Sequence, residues 1–262
     1  MSKLISISAA GALALGAAAA HASIALPSSG SSDAILFAEV VNAAGTAAVA
    51  SYAGDTGVSI NALLAGLSGS TTVLGSDPNL AKLFAADAAG DTIEFAVLGG
   101  QYTGTASSPN FKTAGVAQFL TTTVGNSTTS LSAATTASLT HMAGLNTDIG
   151  TINTNGGGAG SVEGTNPATS GVWDITNTNG TAYWDGAGIA NYNAPGTTAN
   201  LYYVTGGGGI ASKVSTVLEA TATLSASGLT LTGTAVPLPA AVWLLGSGLL
   251  GLAGVGRRKA KA

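Results

Sequence analysis

Lys213 to Gly233 reads KVSTVLEATATLSASGLTLTG, the most regular stretch of the chain. Val214, Thr216, Leu218, Ala220, Ala222 and Leu224 alternate with Ser215, Glu219, Thr221, Thr223 and Ser225. Such a period of two fits a strand with one apolar face and one polar face. A long strand or hairpin is expected over this segment. A chain carrying this element must pair it with further strands, because an isolated hairpin is marginal in water.

Further strand patterns occur upstream. SSDAILFAEVVNAAGTAAVASYAGD, from Ser31, predicts a hairpin that turns through Asn42 to Thr46 and resumes at Ala47 to Tyr52. DTIEFAVLGG, residues 91–100, sets Ile93, Phe95 and Val97 against Glu94 and Ala96, as in a half-buried strand. GVWDIT, AYWD and LYYVT are short β-prone runs set among Asn, Gly and Thr.

Helix signals fall between these strands. Asp77-Pro78 is an N-cap followed by proline at the first helical position, with Leu80, Leu83 and Phe84 at helical spacing and Gly90 as a stop. Ser108-Pro109 with Val116, Phe119 and Leu120 predicts a second helix ending near Gly125. Ser127 to Leu145 predicts a third. The expectation is an α+β, mostly β body, a β-sandwich or jelly-roll-like domain with two or three helices inserted in its first half.

Both ends of the 262-residue chain read as removable. Lys3, the apolar run Leu4 to Ala20 and the pattern Ala20-His21-Ala22 form a secretory signal peptide, cleaved before Ser23. At the other end Ala240 to Gly256 is an uncharged run of 17 residues, followed by Arg257, Arg258 and Lys259. As a helix it spans about 25 Å, the short end of what crosses a bilayer. The basic cluster stays cytoplasmic by the positive-inside rule, which places the body outside the inner membrane, in agreement with the signal peptide. The organisation expected is a signal peptide over 1–22, one exported domain over 23–235, and a sorting segment over 236–262.

Immediately before the apolar run stand Val236, Pro237, Leu238, Pro239 and Ala240. The prolines stop a strand and hold the peptide extended. Motif, apolar span and basic cluster in this order resemble the PEP-CTERM sorting signal in its VPLPA variant. The resemblance covers about a tenth of the chain. It implies export by the general secretory machinery, transient anchoring in the inner membrane, and processing by a membrane exosortase in Gram-negative bacteria that make exopolysaccharide. The body would then be a cell-surface or extracellular-matrix protein associated with biofilm.

Composition limits what the body can do. Residues 23–236 keep twelve acidic groups against Lys82, Lys112 and Lys213, a net charge of −9. Phosphate backbones would repel such a surface, so nucleic acid is not an expected partner. Charged residues are only 8% of the chain, which leaves Thr, Ser, Asn and Gly to fill the surface. With no cysteine, the fold must rest on core packing and ladder hydrogen bonds.

Few residues suggest chemistry. His141 is the one histidine left after signal cleavage, too few for a histidine metal cluster. Asp174 to Gly180 has calcium-type oxygens in the wrong register for an EF-hand, so a plain Asn-Gly turn is preferred and no cofactor is expected. Glu163, Asp174 and Asp185 are available as carboxylate pairs, but their spacing establishes no glycosidase geometry. Trp173, Tyr183, Trp184 and Tyr192, with Tyr202 and Tyr203 nearby, form an aromatic cluster that either stacks on sugars or fills the core. The expectation is a non-catalytic structural or adhesive protein, with a carbohydrate-binding module as the alternative.

Overall fold

The computed structural model describes residues 32–45, 48–102, 117–128, 149, 153, 160–164, 192–205 and 215–234. The described part is mostly β. Nine strands form it: β1 (Asp33–Val41), β2 (Ala48–Ser59), β3 (Ser70–Val73), β4 (Thr92–Tyr102), β5 (Ala117–Thr122), β6 (Ser161–Gly164), β7 (Ala199–Thr205), β8 (Ser215–Ser225) and β9 (Gly228–Gly233). They join in a single sheet of order β3-β9-β8-β7-β5-β4-β1-β2-β6, antiparallel at every pairing. Two short helices, α1 (Ile60–Leu64) and α2 (Pro78–Ala85), pack on one face of this curled sheet.

That face carries the core. Leu36, Ala38 and Val40 of β1 stand opposite Val97, Phe95 and Ile93 of β4 in that order, and Ala38 and Val40 stand opposite Tyr52 and Ala50 of β2. Leu201, Ala220, Ala222, Leu224, Leu229 and Leu231 extend the same layer to the far strands, and Ile60, Leu63, Leu80 and Leu83 close it from the helices. Small alanines let the strands curl toward these leucines, which compensates for an aromatic-poor composition.

The predicted first hairpin forms, with Gly45 N–H donating to Asn42 O at 2.7 Å. Of the long strand or hairpin expected over Lys213 to Gly233, the structure forms the hairpin of β8 and β9, its turn closed by Gly228 at φ 119°. At Gly228 a Cβ would meet Val73 O at 2.6 Å, so both conformation and space require glycine. Helix α2 begins at the expected cap, Asp77, whose carboxylate accepts from Asn79 N. It ends at Ala85, however, with Ala86 as the C-cap, and Gly90 serves the loop beyond at φ 95°.

Three expectations are corrected. Phe119 and Leu120 do not belong to a helix: Ala117–Thr122 is β5, in the middle of the sheet between β4 and β7. Phe119 is 3% and Leu120 1% exposed although they point to opposite faces. With both faces buried the strand shows no alternation of apolar and polar residues, and Val116, Phe119 and Leu120 fall at helical spacing in the sequence. Nor is the strand at 91–100 half-buried: from Phe95 to Gly100 both faces are buried, with Ala96 and Leu98 as inaccessible as Phe95.

The third correction concerns the alternation in β8. Leu201 pairs with Ala220 but Tyr202 pairs with Leu218, so Glu219 is an extra residue, a β-bulge. Past it the faces exchange, and Leu218 no longer shares the core side with Ala220 and Ala222. Residues 108–116 of the expected second helix lie outside the described residues. So do the third helix apart from Ser127 and Thr128, the runs GVWDIT and AYWD, and both removable ends. Ser127 itself has extended backbone.

Candidate functional site

The margin of the sheet at β3, β9 and β8 presents a hydroxyl lattice. Ser70, Thr232 and Thr221 stand side by side on the three strands, and Thr72, Thr230 and Thr223 form the next row. Since Leu229, Leu231, Ala222 and Leu224 point to the core, these six hydroxyls occupy the opposite face. Ser70 and Thr72 are exposed and the other four are half-buried. Ser70 Oγ lies 2.8 Å from Thr232 Oγ1, and Thr72 Oγ1 lies 3.1 Å from Thr230 Oγ1.

Thr223 Oγ1 donates to Thr198 Oγ1 at 3.5 Å, and Asn200 of β7 continues the first row beside Thr221. Rows of this kind repeat at about 4.8 Å across strands and about 6.7 Å along them. A hydroxyl offers one donor and two acceptor sites, so each mutual bond leaves capacity for water or an external partner. The six positions carry no charge.

A second polar cluster lies under α2 on the core face. Tyr52 Oη donates to Asp77 Oδ2 at 2.8 Å, while Asp77 Oδ1 accepts from Asn79 N at 2.8 Å. Asn79 Nδ2 donates to Ser161 O and Oγ at 3.1 and 3.0 Å, and Lys82 Nζ donates to Asn79 Oδ1 at 3.2 Å. The phenol fits because Gly54, two residues along β2, has no side chain; a Cβ there would overlap the ring. Burial, reinforced by the negative charge of Asp77 and the bond to it, pushes the Tyr52 hydroxyl well above the usual tyrosine range. The phenol therefore stays protonated across the physiological range and acts as a donor that ties β2, α2 and β6 together.

Face-to-face carboxylates occur elsewhere. Glu39, 1% exposed on β1, is directly across from Glu94 on β4 and Ser51 on β2, on the face opposite the core. Of the carboxylates considered from sequence, Glu163 on β6 pairs in register with Tyr52 on β2, whereas Asp174 and Asp185, like His141, lie outside the described residues. Among the described residues no group of three or more His, Cys, Asp or Glu side chains could hold a metal ion.

The sequence-derived sites divide as follows. Val236 to Ala240, Arg257 to Lys259, Ala20, Ala22, Ser23, Trp173, Tyr183 and Trp184 lie outside the described residues. Tyr192 is half-buried, and its neighbour Asn193 exchanges two 2.8 Å backbone bonds with Phe95. Tyr202 is 8% and Tyr203 7% exposed, on opposite faces, so neither offers an open ring for stacking. Tyr202 Oη donates to Asn126 O at 3.2 Å and accepts from Asn200 Nδ2 at 2.9 Å. Burial and the nearby Glu219 carboxylate push Tyr203 up to about 12.

Sequence reasoning missed both the hydroxyl lattice and the Tyr52 cluster. The alternating Thr221, Thr223, Thr230 and Thr232 signalled the first, once their register with Ser70 and Thr72 was known. Nothing local signalled the second, whose members are spread from Tyr52 to Ser161. No protein-family model, curated protein or solved structure matches the chain. Among the described residues no helix is long and apolar enough to cross a membrane.

Proposed function

We propose that the chain is an exported surface or extracellular-matrix protein, sorted and processed by an exosortase, with a structural or adhesive role in an exopolysaccharide or biofilm matrix. The observation that carries this reading is the ordered C-terminal segment: Val236 to Ala240, the uncharged span Ala240 to Gly256, then Arg257, Arg258 and Lys259. The position of the last strand supports it, because β9 ends at Gly233, three residues before the motif. The processing segment thus follows directly on the folded body.

The hydroxyl lattice of β3, β9 and β8 supports the adhesive part of the reading. A neutral, hydrated polymer can exchange hydrogen bonds with such a face, whereas the body's charge disfavours polyanions. Burial of both faces of β1, β4 and β5 supports the sandwich-like or jelly-roll-like closure that goes with it.

Fractionation of the native host tests the sorting step. Deleting the exosortase should leave the body in the membrane fraction, whereas the parent strain should release or display it. An unchanged distribution would refute processing by that enzyme.

A further inference from the structure

Strand order and direction place both chain ends at one end of the sheet. The starts of β1, β3, β5 and β8 and the ends of β2, β4, β7 and β9 meet there, as the pairs Ser70 with Thr232, Gln118 with Thr205 and Ala220 with Gly233 require. The entering chain is fastened at Ser32, whose N–H donates to Gly100 O and whose Oγ accepts from Gly100 N. The leaving chain is fastened at Thr234, whose N–H and Oγ1 both donate to the carbonyl of the bulged Glu219, at 3.3 and 3.1 Å.

Only residues 235–239 separate this fastening from the apolar span that begins at Ala240. Fully extended, five residues reach at most about 18 Å. Pro237 and Pro239 lock φ at two of the five positions and so stiffen this short tether. While the span is in a bilayer, this end of the sheet is therefore held within headgroup distance of it.

The same end carries exposed apolar side chains. Val217 is 48% exposed, Leu218 38% and Leu64 37%, three of the four large hydrophobics that are exposed among the described residues. Val217 and Leu218 directly precede Glu219. Leu64 ends α1, which packs against β8, and the following Leu67 lies against Gly233. The bulge turns Leu218 to the face of Tyr202 and Val217 to the face of Tyr203, so the two side chains straddle this end of the sheet.

We propose that this end of the sheet is a lipid-contact surface, on which Leu64, Val217 and Leu218 enter the headgroup region of the bilayer that holds the C-terminal span. The occupant is fixed by the length of the 235–239 tether. This inference rests on reading Ala240 to Gly256 as a membrane span, and adds that the folded body is seated on the membrane, presenting the motif in one orientation. The charged groups on the described parts of this end are Asp33, Asp55 and Glu219, and the contact is made by the apolar side chains.

The absence of cysteine makes the test direct. Leu64→Cys, Val217→Cys, Leu218→Cys, Leu245→Cys in the span and Ala44→Cys at the opposite end would be made singly in the chain from Ser23 to Ala262. Each is labelled with bimane and reconstituted into phosphatidylcholine vesicles containing a shallow nitroxide lipid. All but Leu245→Cys lie at exposed positions, so folding is retained and is checked by circular dichroism.

Quenching at positions 64, 217 and 218 should exceed that at 44 by roughly twofold or more and persist in high salt. Quenching at 245 with positions 217 and 218 equal to 44 would overturn the seated body while leaving the anchor intact. Vesicles that float without the protein, with no quenching at 245, would overturn the anchor and the seated body together.

Discussion

Tyr52 and Asp77, 25 residues apart, are joined by a 2.8 Å hydrogen bond that fastens the first turn of α2 to the middle of β2. One oxygen of the carboxylate caps the helix and the other accepts the phenol, so a single side chain sets both the start of the helix and its seat on the sheet. Removing the phenolic hydroxyl leaves a partly buried carboxylate oxygen without its donor. Tyr52→Phe should lower unfolding free energy by about 1 to 3 kcal/mol. Asp77→Ala should cost more, since a helix cap worth about 0.5 to 2 kcal/mol is lost as well. Urea titrations of the two variants and their combination would check this, with a double mutant less destabilised than the sum of the singles.

Alkaline pH should act through the same group. Tyr52 is held above the usual tyrosine range in the folded state, whereas the unfolded chain titrates near about 10. Below that value both states keep the proton, and the contribution is fully present. As pH rises beyond it the unfolded state loses protons first, so stability falls. Tyr203, pushed up to about 12, adds to the decline until it too ionises. Denaturation midpoints measured at increasing pH should therefore be level through neutrality and drop from about pH 10. In Tyr52→Phe the drop should be shallower.

The hydroxyl lattice predicts a different pattern. Thr72 and Thr230 bond each other on an outward face, so loss of one leaves its partner able to turn to water. Thr72→Val and Thr230→Val should each change stability by less than about 1 kcal/mol, with a coupling of about 0.2 to 1 kcal/mol in the double-mutant cycle. If this face meets the matrix, retention of the folded protein on host exopolysaccharide should fall much further than stability does. Co-sedimentation of the double variant with purified polysaccharide would show it.

Much of the fold was legible because some segments state their structure locally. Asp77-Pro78 announces its cap, Asn42 to Gly45 its turn, and the Leu and Thr alternation of β9 its two faces. Strand β5 was not legible, because a central strand buried on both sides loses the alternation that marks a strand. The bulge at Glu219 was equally hidden: in sequence the alternation continues unbroken, and only pairing with Leu201 and Tyr202 reveals the extra residue. The candidate sites failed for a related reason. Tyr52, Asp77, Asn79 and Ser161, or Ser70 and Thr232, become neighbours only through the sheet order, which follows from no one segment.

The central claim, that this is an exported chain cut free of its own C-terminal address, is tested most directly by the intact mass and terminal peptides of the mature protein recovered from the surface or medium of its native host. The account predicts a mature N-terminus at Ser23 and loss of the span Ala240 to Gly256 with its basic cluster. Mature surface protein that still ends in Arg257, Arg258 and Lys259 would contradict it.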